Sequence, residues 1–410
     1  MHKSQEAFFA LLRAGLFPVH GEGGMVHDSS FKDVDWEKVY LLVQEQSVLG
    51  LVLQGIETVS SADFCRDSAE SEQVHSALTA PKVQGSWLKV HGSPLVPKVL
   101  LLQWIGEVQY IEQQNKDMNA FVTKLIGKLL EAGIEAVLVK GQGVAQCYER
   151  PLWRSCGDVD LILSFDNYCN AKEYLTKIAS HVDAEREDTL HLGMTIDGWV
   201  VELHGSLRCG LAKRVDRGND ELQESIFYGG NVRSWMNGGT QVFLPRADED
   251  VIYVFTHILE HFYKGGIGLR QICDWCRLLY TCKDSLNHGL LESRIRKMGL
   301  MTEWKAFAAM AVDYLGMPAE AMPLYSSEKK WSRKGDKICA FVMEVGNFGH
   351  NRDNSYYAKY PFLIRKLYSF GRRCGDLFRH ARIFPLDSLK FFPYMMYNGI
   401  KAALNGVHYD

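Results

Sequence analysis

The chain has 410 residues, which is too many for one compact hydrophobic core and suggests two or three domains. Its net charge is −3, so the overall charge favours neither nucleic acid nor an acidic membrane as a partner. No apolar run reaches the ~18 residues of a membrane-spanning helix, and the amphipathic N-terminus lacks the organisation of a signal peptide. The ten cysteines are scattered through apolar segments, which is typical of reduced thiols. We therefore expect a soluble cytoplasmic protein.

The first part of the chain is predicted to be helical. Apolar residues recur at helical spacing in "SQEAFFALLRAGLF" and in "DWEKVYLLVQEQSVLGLVLQGIETV". The stretch from Ser60 to Pro97 is more polar and predicts loops. A long amphipathic helix follows in "EVQYIEQQNKDMNAFVTKLIGKLLEAG", and Gly133 is well placed to end it.

After this helix the pattern changes to short strands and helices. "IEAVLVKG" predicts a buried strand that ends at Lys140, "GVAQCYE" a short helix, "RPLWRSCG" a loop and "DVDLILS" a second strand. "FDNYCNAKEYLTKIASH" predicts a helix, and "LGMTIDGWVVELHGSL" a β-hairpin that turns at Asp197 and Gly198. Beyond Pro245 the chain is predicted to be helical again.

These elements together predict an α/β (α+β) fold built on a small mixed sheet. We expect the α/β core in residues 111–245, flanked by a helical N-terminal region in residues 1–110 and a helical C-terminal region in residues 246–410.

Three carboxylates are the candidates for metal binding. Residues i and i+2 of a strand share one face, so Asp158 and Asp160 point the same way, about 6.6 Å apart along the strand. Two carboxylates at that spacing suit hard cations, and without a cation their repulsion would raise one pKa. Glu202 is the best third ligand, because an unpaired charge in the apolar strand "WVVELHG" would be costly. Three acids could hold two ions roughly 3.5–4 Å apart.

Several residues near these carboxylates are suited to binding a phosphate group. Lys140 ends the first strand and Arg154 lies just before the aspartates, so both cations are expected near the same edge of the sheet. Gly157 would let a phosphate approach the backbone closely. His204 lies two residues after Glu202 and is expected to share its face.

The segment "VKGQGVAQCYERPLWRSCGDVDLIL", together with "VELHG", resembles the core of a large, mostly uncharacterised nucleotidyltransferase family of the polymerase-β-type superfamily. The superfamily has a Gly-Ser turn close before an Asp-x-Asp strand, and a third acidic strand. Here Gly141 lies seventeen residues before Asp158 instead. The resembled family has Lys-Gly and an arginine in the inserted loop, which Lys140, Gly141 and Arg154 match.

The resemblance implies transfer of a nucleoside monophosphate from an NTP to an acceptor hydroxyl or phosphate. It implies Mg²⁺ (or Mn²⁺) as the cofactor, held by the three acids, of which the third often acts as a base toward the acceptor. The implied catalytic and metal-binding residues are Asp158, Asp160 and Glu202, and the implied nucleotide-binding residues are Lys140, Gly141, Arg154, Gly157 and His204. A nucleotide-binding protein of the same fold without turnover is the alternative. The acceptor stays open among a small molecule, a sugar, a protein side chain and an RNA end.

A second alternative is a zinc hydrolase. "HILEH" matches the inverted zinc-peptidase pattern, in which His257 and His261 would hold the metal and Glu260 would be the general base. No third ligand follows at a convincing position, so a pair of histidines on a helix face is the preferred interpretation.

The helix "GLRQICDWC" contains two further patterns. Cys273 and Cys276 form a C-x-x-C without the second pair of a zinc ribbon or the strand of a redox motif, so we expect core cysteines. Arg270 lies four residues before Asp274, and a helical ion pair is expected, with acceptor binding over the active site as the alternative.

The tail in residues 355–401 is basic, with nine Lys/Arg against Asp376 and Asp387, a local balance of +7. It could follow a nucleic-acid backbone or lie on an acidic membrane. A solvated helix face with its aromatic residues packed inward is the favoured interpretation.

Overall fold

The computed structural model describes residues 3–18, 31–69, 95–186, 189–346 and 362–404. It confirms a mixed α+β architecture in which helices surround one seven-stranded sheet. Two predicted stretches lie partly outside the described residues: the polar loop at residues 70–94 and the start of the basic tail at residues 355–361. Among the described helices, none combines the length and apolar character that crossing a membrane requires.

The N-terminal region is helical as predicted. It contains α1 (Lys3–Leu16), α2 (Trp36–Glu45), α3 (Leu49–Ala69) and α4 (Lys98–Glu131). The second predicted helix is divided between α2 and α3, and Ser47 between them has a φ of +56°. The loop predicted from Ser60 is wrong as far as Ala69, which is the end of α3. Helix α4 ends before Gly133 as predicted, and it runs continuously through residue 110.

The sheet combines parallel and antiparallel strands. The strands are β1 (Val137–Val139), β2 (Asp158–Ile162), β3 (His181–Val182), β4 (His191–Ile196), β5 (Trp199–His204), β6 (Val232–Asn237) and β7 (Thr240–Pro245). Their order is β3-β4-β5-β2-β1-β7-β6, with β2 parallel to β5 and β1 parallel to β7. The predicted hairpin is β4–β5, and its turn residues Asp197 and Gly198 have φ of +51° and +85°. Positive φ at both positions is the type I′ geometry that an Asp-Gly pair favours.

Of the remaining helices in the described residues, three lie between strands along the chain and seven follow the last strand. They are α5 (Gly141–Ala145), α6 (Phe165–Thr176), α7 (Lys213–Phe227), α8 (Ala247–Lys264), α9 (Leu269–Cys282), α10 (His288–Met298), α11 (Met301–Leu315), α12 (Lys329–Val345), α13 (Phe362–Ala381) and α14 (Pro385–Leu404). Short 3₁₀ helices lie at Pro151–Trp153 and Ala319–Ala321. In α9, Cys273 and Cys276 are buried free thiols, as expected of core cysteines.

The two faces of the sheet belong to different cores. On one face, Val159, Leu161 and Leu203 pack in a core with residues of α4 and α6, such as Phe121 and Leu175. The opposite face joins a larger core that includes residues of α1, α3, α8, α9 and α11. Since strand residues alternate between faces, Asp158 and Asp160 lie on this second face.

The N-terminal and C-terminal helices share that larger core. Arg13 of α1 donates through Nε to the carbonyl oxygen of Tyr314 at 2.9 Å, and the backbone N–H of Leu269 donates to Gln46 Oε1 at 2.9 Å. Helices from both ends of the chain therefore pack together beneath the face that carries the carboxylates.

Candidate metal and nucleotide site

The structure brings the three predicted carboxylates together. Strands β2 and β5 are adjacent, and their register places Asp160 directly beside Glu202. One carboxylate oxygen from each of Asp158, Asp160 and Glu202 lies within 4.8 Å of the others. Oxygen ligands at this spacing fit a hard divalent cation such as Mg²⁺.

Lys140 lies against this cluster, as expected. Its Nζ is 2.7 Å from Asp160 Oδ1, and the two side chains are 15% and 3% exposed. Burial opposes both charges, but the ion pair prevails, so the pKa of Lys140 is raised and that of Asp160 is lowered. The backbone of Lys140 has φ +53° and ψ −142°, a strained conformation for a residue other than glycine. Strain of this kind persists where the surrounding structure enforces it, often at functional sites.

The repulsion between the clustered carboxylates affects the pKa of Asp158. The charge of Asp160, followed by burial, raises the pKa of Asp158 to about 6. Three carboxylates therefore share one buried lysine. A bound divalent cation would relieve this excess of negative charge.

Two histidines hold the carboxylates from the hairpin side. His204 Nε2 lies 2.8 Å from Asp160 Oδ1 and 3.5 Å from Glu202 Oε2. His191 Nε2 lies 3.0 Å from Glu202 Oε2, and Arg186 Nη2 lies 2.7 Å from His191 Nδ1. Because arginine can only donate, Nδ1 must accept, and the proton of the neutral ring is on Nε2. His191 therefore donates to Glu202.

These contacts set the protonation of Glu202. Burial opposes its charge, but the hydrogen bonds from His191 and His204 prevail and lower its pKa. The group His191, Glu202 and His204 also has the spacing of a metal site. With Nδ1 occupied by Arg186, however, His191 has a proton where a metal would bind, so the all-carboxylate group is the better candidate.

Arg154 has a different environment from the one expected of a phosphate contact. Its Nε and Nη2 donate to the two oxygens of Asp274 at 3.0 and 2.6 Å, and its Nη1 contacts Ser155 O at 3.1 Å and Cys156 Sγ at 2.9 Å. Tyr148 also donates to Asp274 at 2.7 Å. The side chains of Arg154 and Asp274 are 6% and 7% exposed. This is a buried ion pair whose hydrogen bonds are made within the protein.

The ion pair expected between Arg270 and Asp274 is therefore wrong, because Arg154 takes the carboxylate. Arg270 instead donates through Nη1 to Ser155 O at 2.8 Å, while its buried Nε has no hydrogen-bond partner among the described residues. Its charge opposes the rise in the pKa of Asp158, which places Arg270 within electrostatic range of the carboxylates. Arg270 is also the second residue of α9, where the helix dipole favours an anion.

The two predicted glycines lie at the edges of the site. Gly141 is buried and begins α5 with a φ of +29°, and a Cβ built on it would lie 3.4 Å from the backbone oxygen of Asp158. Gly157 is exposed immediately before Asp158, with open space where a Cβ would lie. A phosphate can approach the backbone at Gly157.

The "HILEH" histidines face each other on α8. His257 and His261 approach through their Nε2 atoms at 3.1 Å, and Glu260 pairs with Lys264 at 2.9 Å. Among the described residues, the clusters of three or more metal-ligating side chains do not include this group. The preferred interpretation, a histidine pair on a helix face, agrees with this geometry.

Two site residues were missed from the sequence, namely His191 and Arg186. A two-residue turn at Asp197 and Gly198 sets the hairpin register, which places His191 opposite His204. The hairpin signal could therefore have identified His191, whereas Arg186 joins the site through an isolated bridge just before the hairpin.

Clustered carboxylates beside a buried lysine define a site suited to divalent cations and phosphates. Over residues 32–316, which is more than half of the chain, the sequence matches the model of a family described as uncharacterised nucleotidyltransferase. The chain belongs to this nucleotidyltransferase family. No curated protein and no solved structure matches it.

Proposed function

We propose that the chain transfers a nucleoside monophosphate from an NTP to an acceptor in a reaction that requires Mg²⁺ or Mn²⁺. The observation that supports this most directly is the convergence of three carboxylates from adjacent strands within 4.8 Å. The acceptor oxygen would attack the α-phosphorus and lose any proton it carries to solvent, the bond from that phosphorus to the β-bridging oxygen would break, and pyrophosphate would leave.

In this proposal Asp158, Asp160 and Glu202 would hold the cation, and a bound cation would supply charge neutralisation for the phosphates and activation of the acceptor oxygen. Glu202 serves as a ligand rather than as a base, because hydrogen bonds from two imidazoles lower its pKa and make it a weak proton acceptor. His191 is a positioning residue: fixed by Arg186, it leaves the second oxygen of Glu202 to the cation.

Lys140 and Arg270 are the proposed cations for the triphosphate, with Gly157 and His204 beside them. We assign this role to Arg270 rather than to Arg154, whose donors are engaged by Asp274 and by the loop before β2. Arg270 is partly exposed and forms no ion pair with a carboxylate among the described residues, so an incoming phosphate would supply its counter-ion.

The central experiment separates nucleotidyl transfer from other uses of an NTP. The purified chain is incubated with Mg²⁺, a cell extract and NTPs labelled at either the α- or the γ-phosphate. We expect an acceptor labelled only from the α-position, and no labelled acceptor with Asp160→Asn. Label transferred from the γ-position would contradict the proposal, and the labelled product would identify the acceptor class.

Substitution of Arg270 tests the phosphate contact. Arg270→Gln should raise the KM for NTP about tenfold, the scale of one charged hydrogen bond, and Arg270→Lys should restore part of the affinity. Arg217→Gln, at an exposed position of α7, is the matched control and should leave KM unchanged. Equal KM values for Arg270→Gln and the wild type would remove Arg270 from the site.

A nucleotide-binding protein without turnover is the second candidate, and one observation favours it. Lys140 and His204 already contact Asp160 Oδ1 at 2.7 and 2.8 Å, so part of the charge that a cation would neutralise is balanced by the protein. Mg²⁺-dependent NTP binding by calorimetry, with no labelled acceptor from any extract, would support this candidate.

A further inference from the structure

The C-terminal helices α13 and α14 form a hairpin whose inner side is well packed. The three residues between the helices are Arg382, Ile383 and Phe384, and the last two are buried. Lys337 donates to the carbonyl oxygen of Arg382 at 2.8 Å, which ties the turn to α12. The hairpin therefore has a defined inner side and a defined outer side.

The outer side of α14 is an apolar stripe. Exposed residues recur there at the spacing i, i+3, i+7, i+11 and i+14, namely Leu386, Leu389, Pro393, Tyr397 and Ile400. Leu386 and Leu389 are 68% and 63% exposed, and Tyr397 is 63% exposed. A helix that packs in a soluble protein normally presents polar residues on this face.

Helix α13 repeats the pattern at the spacing i, i+4, i+7, i+11 and i+14. The exposed apolar side chains on this line are Ile364, Tyr368 and Phe378, of which Phe378 is 70% exposed, and the exposed glycines Gly371 and Gly375 lie between them. The expectation that the aromatic residues of this tail pack inward is thus wrong for Phe378 and Tyr397, although it holds for Phe384 and Phe391. Two neighbouring helices therefore each expose apolar side chains along one line, with the denser stripe on α14, which exceeds the scatter of single apolar residues on ordinary surfaces.

Cations accompany the stripes. Arg379 and Lys390 each follow an exposed apolar residue by one position, and Arg382 is exposed in the turn. Within α13, the turn and α14, eight Lys/Arg stand against Asp376 and Asp387, a balance of +6, in a chain whose total charge is −3. Positive charge is therefore concentrated on the same hairpin that exposes the apolar stripes.

We propose that the outer side of the α13–α14 hairpin docks on an anionic lipid surface, with its apolar stripes in the headgroup boundary and its cations on the lipid phosphates. Interfacial helices bind in this way, and no membrane-spanning segment is required. A second copy of the chain fits less well, because a symmetric contact would bring two strongly positive tails together. Nucleic acid fits less well, because it offers a phosphate backbone but no apolar surface for the stripes.

The test is co-sedimentation of the full chain with vesicles of phosphatidylcholine alone or with about 30% phosphatidylglycerol, an anionic lipid of the kind that attracts basic segments. We expect binding to the anionic vesicles that weakens as salt is raised. The triple variant Phe378→Ser, Leu386→Ser, Leu389→Ser should lower the partition coefficient about tenfold or more. Replacing Arg379, Arg382 and Lys390 by glutamine should also lower it about tenfold or more.

The matched control replaces three exposed apolar residues of α4, Val99, Leu102 and Tyr110, by serine and should bind vesicles like the wild type. Circular dichroism verifies that each variant is folded. Failure of the wild type to bind anionic vesicles would overturn the proposal, as would equal loss of binding in the control. Self-association or RNA binding that the hairpin variants abolish, without any lipid binding, would assign the surface to that partner instead.

Discussion

Two buried ion pairs lie close to the loop before β2, and their surroundings differ. In the pair Arg154–Asp274, the carboxylate accepts from the guanidinium and from Tyr148, and both side chains are almost fully buried. In the pair Lys140–Asp160, the carboxylate has two more carboxylates beside it, from Asp158 and Glu202. The first pair is balanced in charge, whereas the second belongs to a cluster with an excess of negative charge.

We interpret the first pair as a structural contact and the second as part of the proposed functional site. A balanced buried pair is satisfied by the protein itself and fixes the loop before β2 against α9. An unbalanced cluster raises the pKa of Asp158 and lowers stability unless something else binds. We therefore expect substitutions in the first pair to act on folding and substitutions in the second to act on chemistry.

The largest expected effect on stability is that of Asp274→Ala. This change leaves the Arg154 guanidinium buried without its counter-ion, which should cost about 3–5 kcal/mol of unfolding free energy. Urea denaturation measures the loss. The double variant Arg154→Met, Asp274→Leu is the control, because removal of both charges should recover most of it. If Asp274→Ala were as stable as the wild type, the Arg154–Asp274 pair would not act on folding as expected.

Asp158→Asn should lower transfer and, without metal, raise stability, the reverse of what is expected for Asp274→Ala. Transfer should fall about a hundredfold or more, because several kcal/mol of cation binding are lost. In EDTA at pH 7.5 the variant should melt at a higher temperature than the wild type. The folded-state pKa of Asp158 is raised from 3.8 to about 6, so its effect on stability becomes unfavourable as pH rises through that window.

Thermal melting with added Mg²⁺ completes this test. The wild type should gain stability from Mg²⁺, and Asp158→Asn should gain little, because binding to the folded state stabilises it. An equal gain in both proteins would show that Mg²⁺ binds elsewhere.

A smaller effect is expected at Glu303, a buried acid that lies outside the carboxylate cluster. Burial, followed by the charge of Asp387, raises the pKa of Glu303 to about 8, and Tyr263 donates to it at 3.4 Å. Because the folded state holds this proton more tightly, its contribution to stability is complete below pH 4.5 and is lost as pH rises through 8.

Glu303→Gln should remove that dependence. Melting temperatures from pH 5 to 9 should fall more steeply for the wild type than for the variant. Parallel curves for the two proteins would show that Glu303 titrates normally and that burial alone does not distinguish it from an exposed acid.

Much of the site follows from periodicity along the chain. The Asp-x-Asp spacing put Asp158 and Asp160 on one strand face, and the lone acid of an apolar strand identified Glu202, which the register places beside Asp160. The Asp-Gly turn predicted the hairpin correctly. These signals depend on two-residue alternation and on turn geometry, which are local properties.

The wrong ion pair was predicted where distant segments compete for one partner. Four-residue spacing on α9 suggested the pair Arg270–Asp274, yet helical pairs of this kind contribute only about 0.3–0.5 kcal/mol. The pair that forms joins Arg154 to Asp274 across 120 residues, with two hydrogen bonds in a buried setting. A weak local preference was overridden by a stronger contact that no local pattern reveals.

The sequence by itself determined the strand alternation, the hairpin and the set of acids, because these depend on neighbours along the chain. Only the tertiary structure decided which arginine forms an ion pair with Asp274 and which keeps an unused donor. It also decided which aromatic residues of the basic tail are exposed. Both outcomes depend on what packs against each side chain, and burial is a property of the assembled helices and sheet rather than of any one segment.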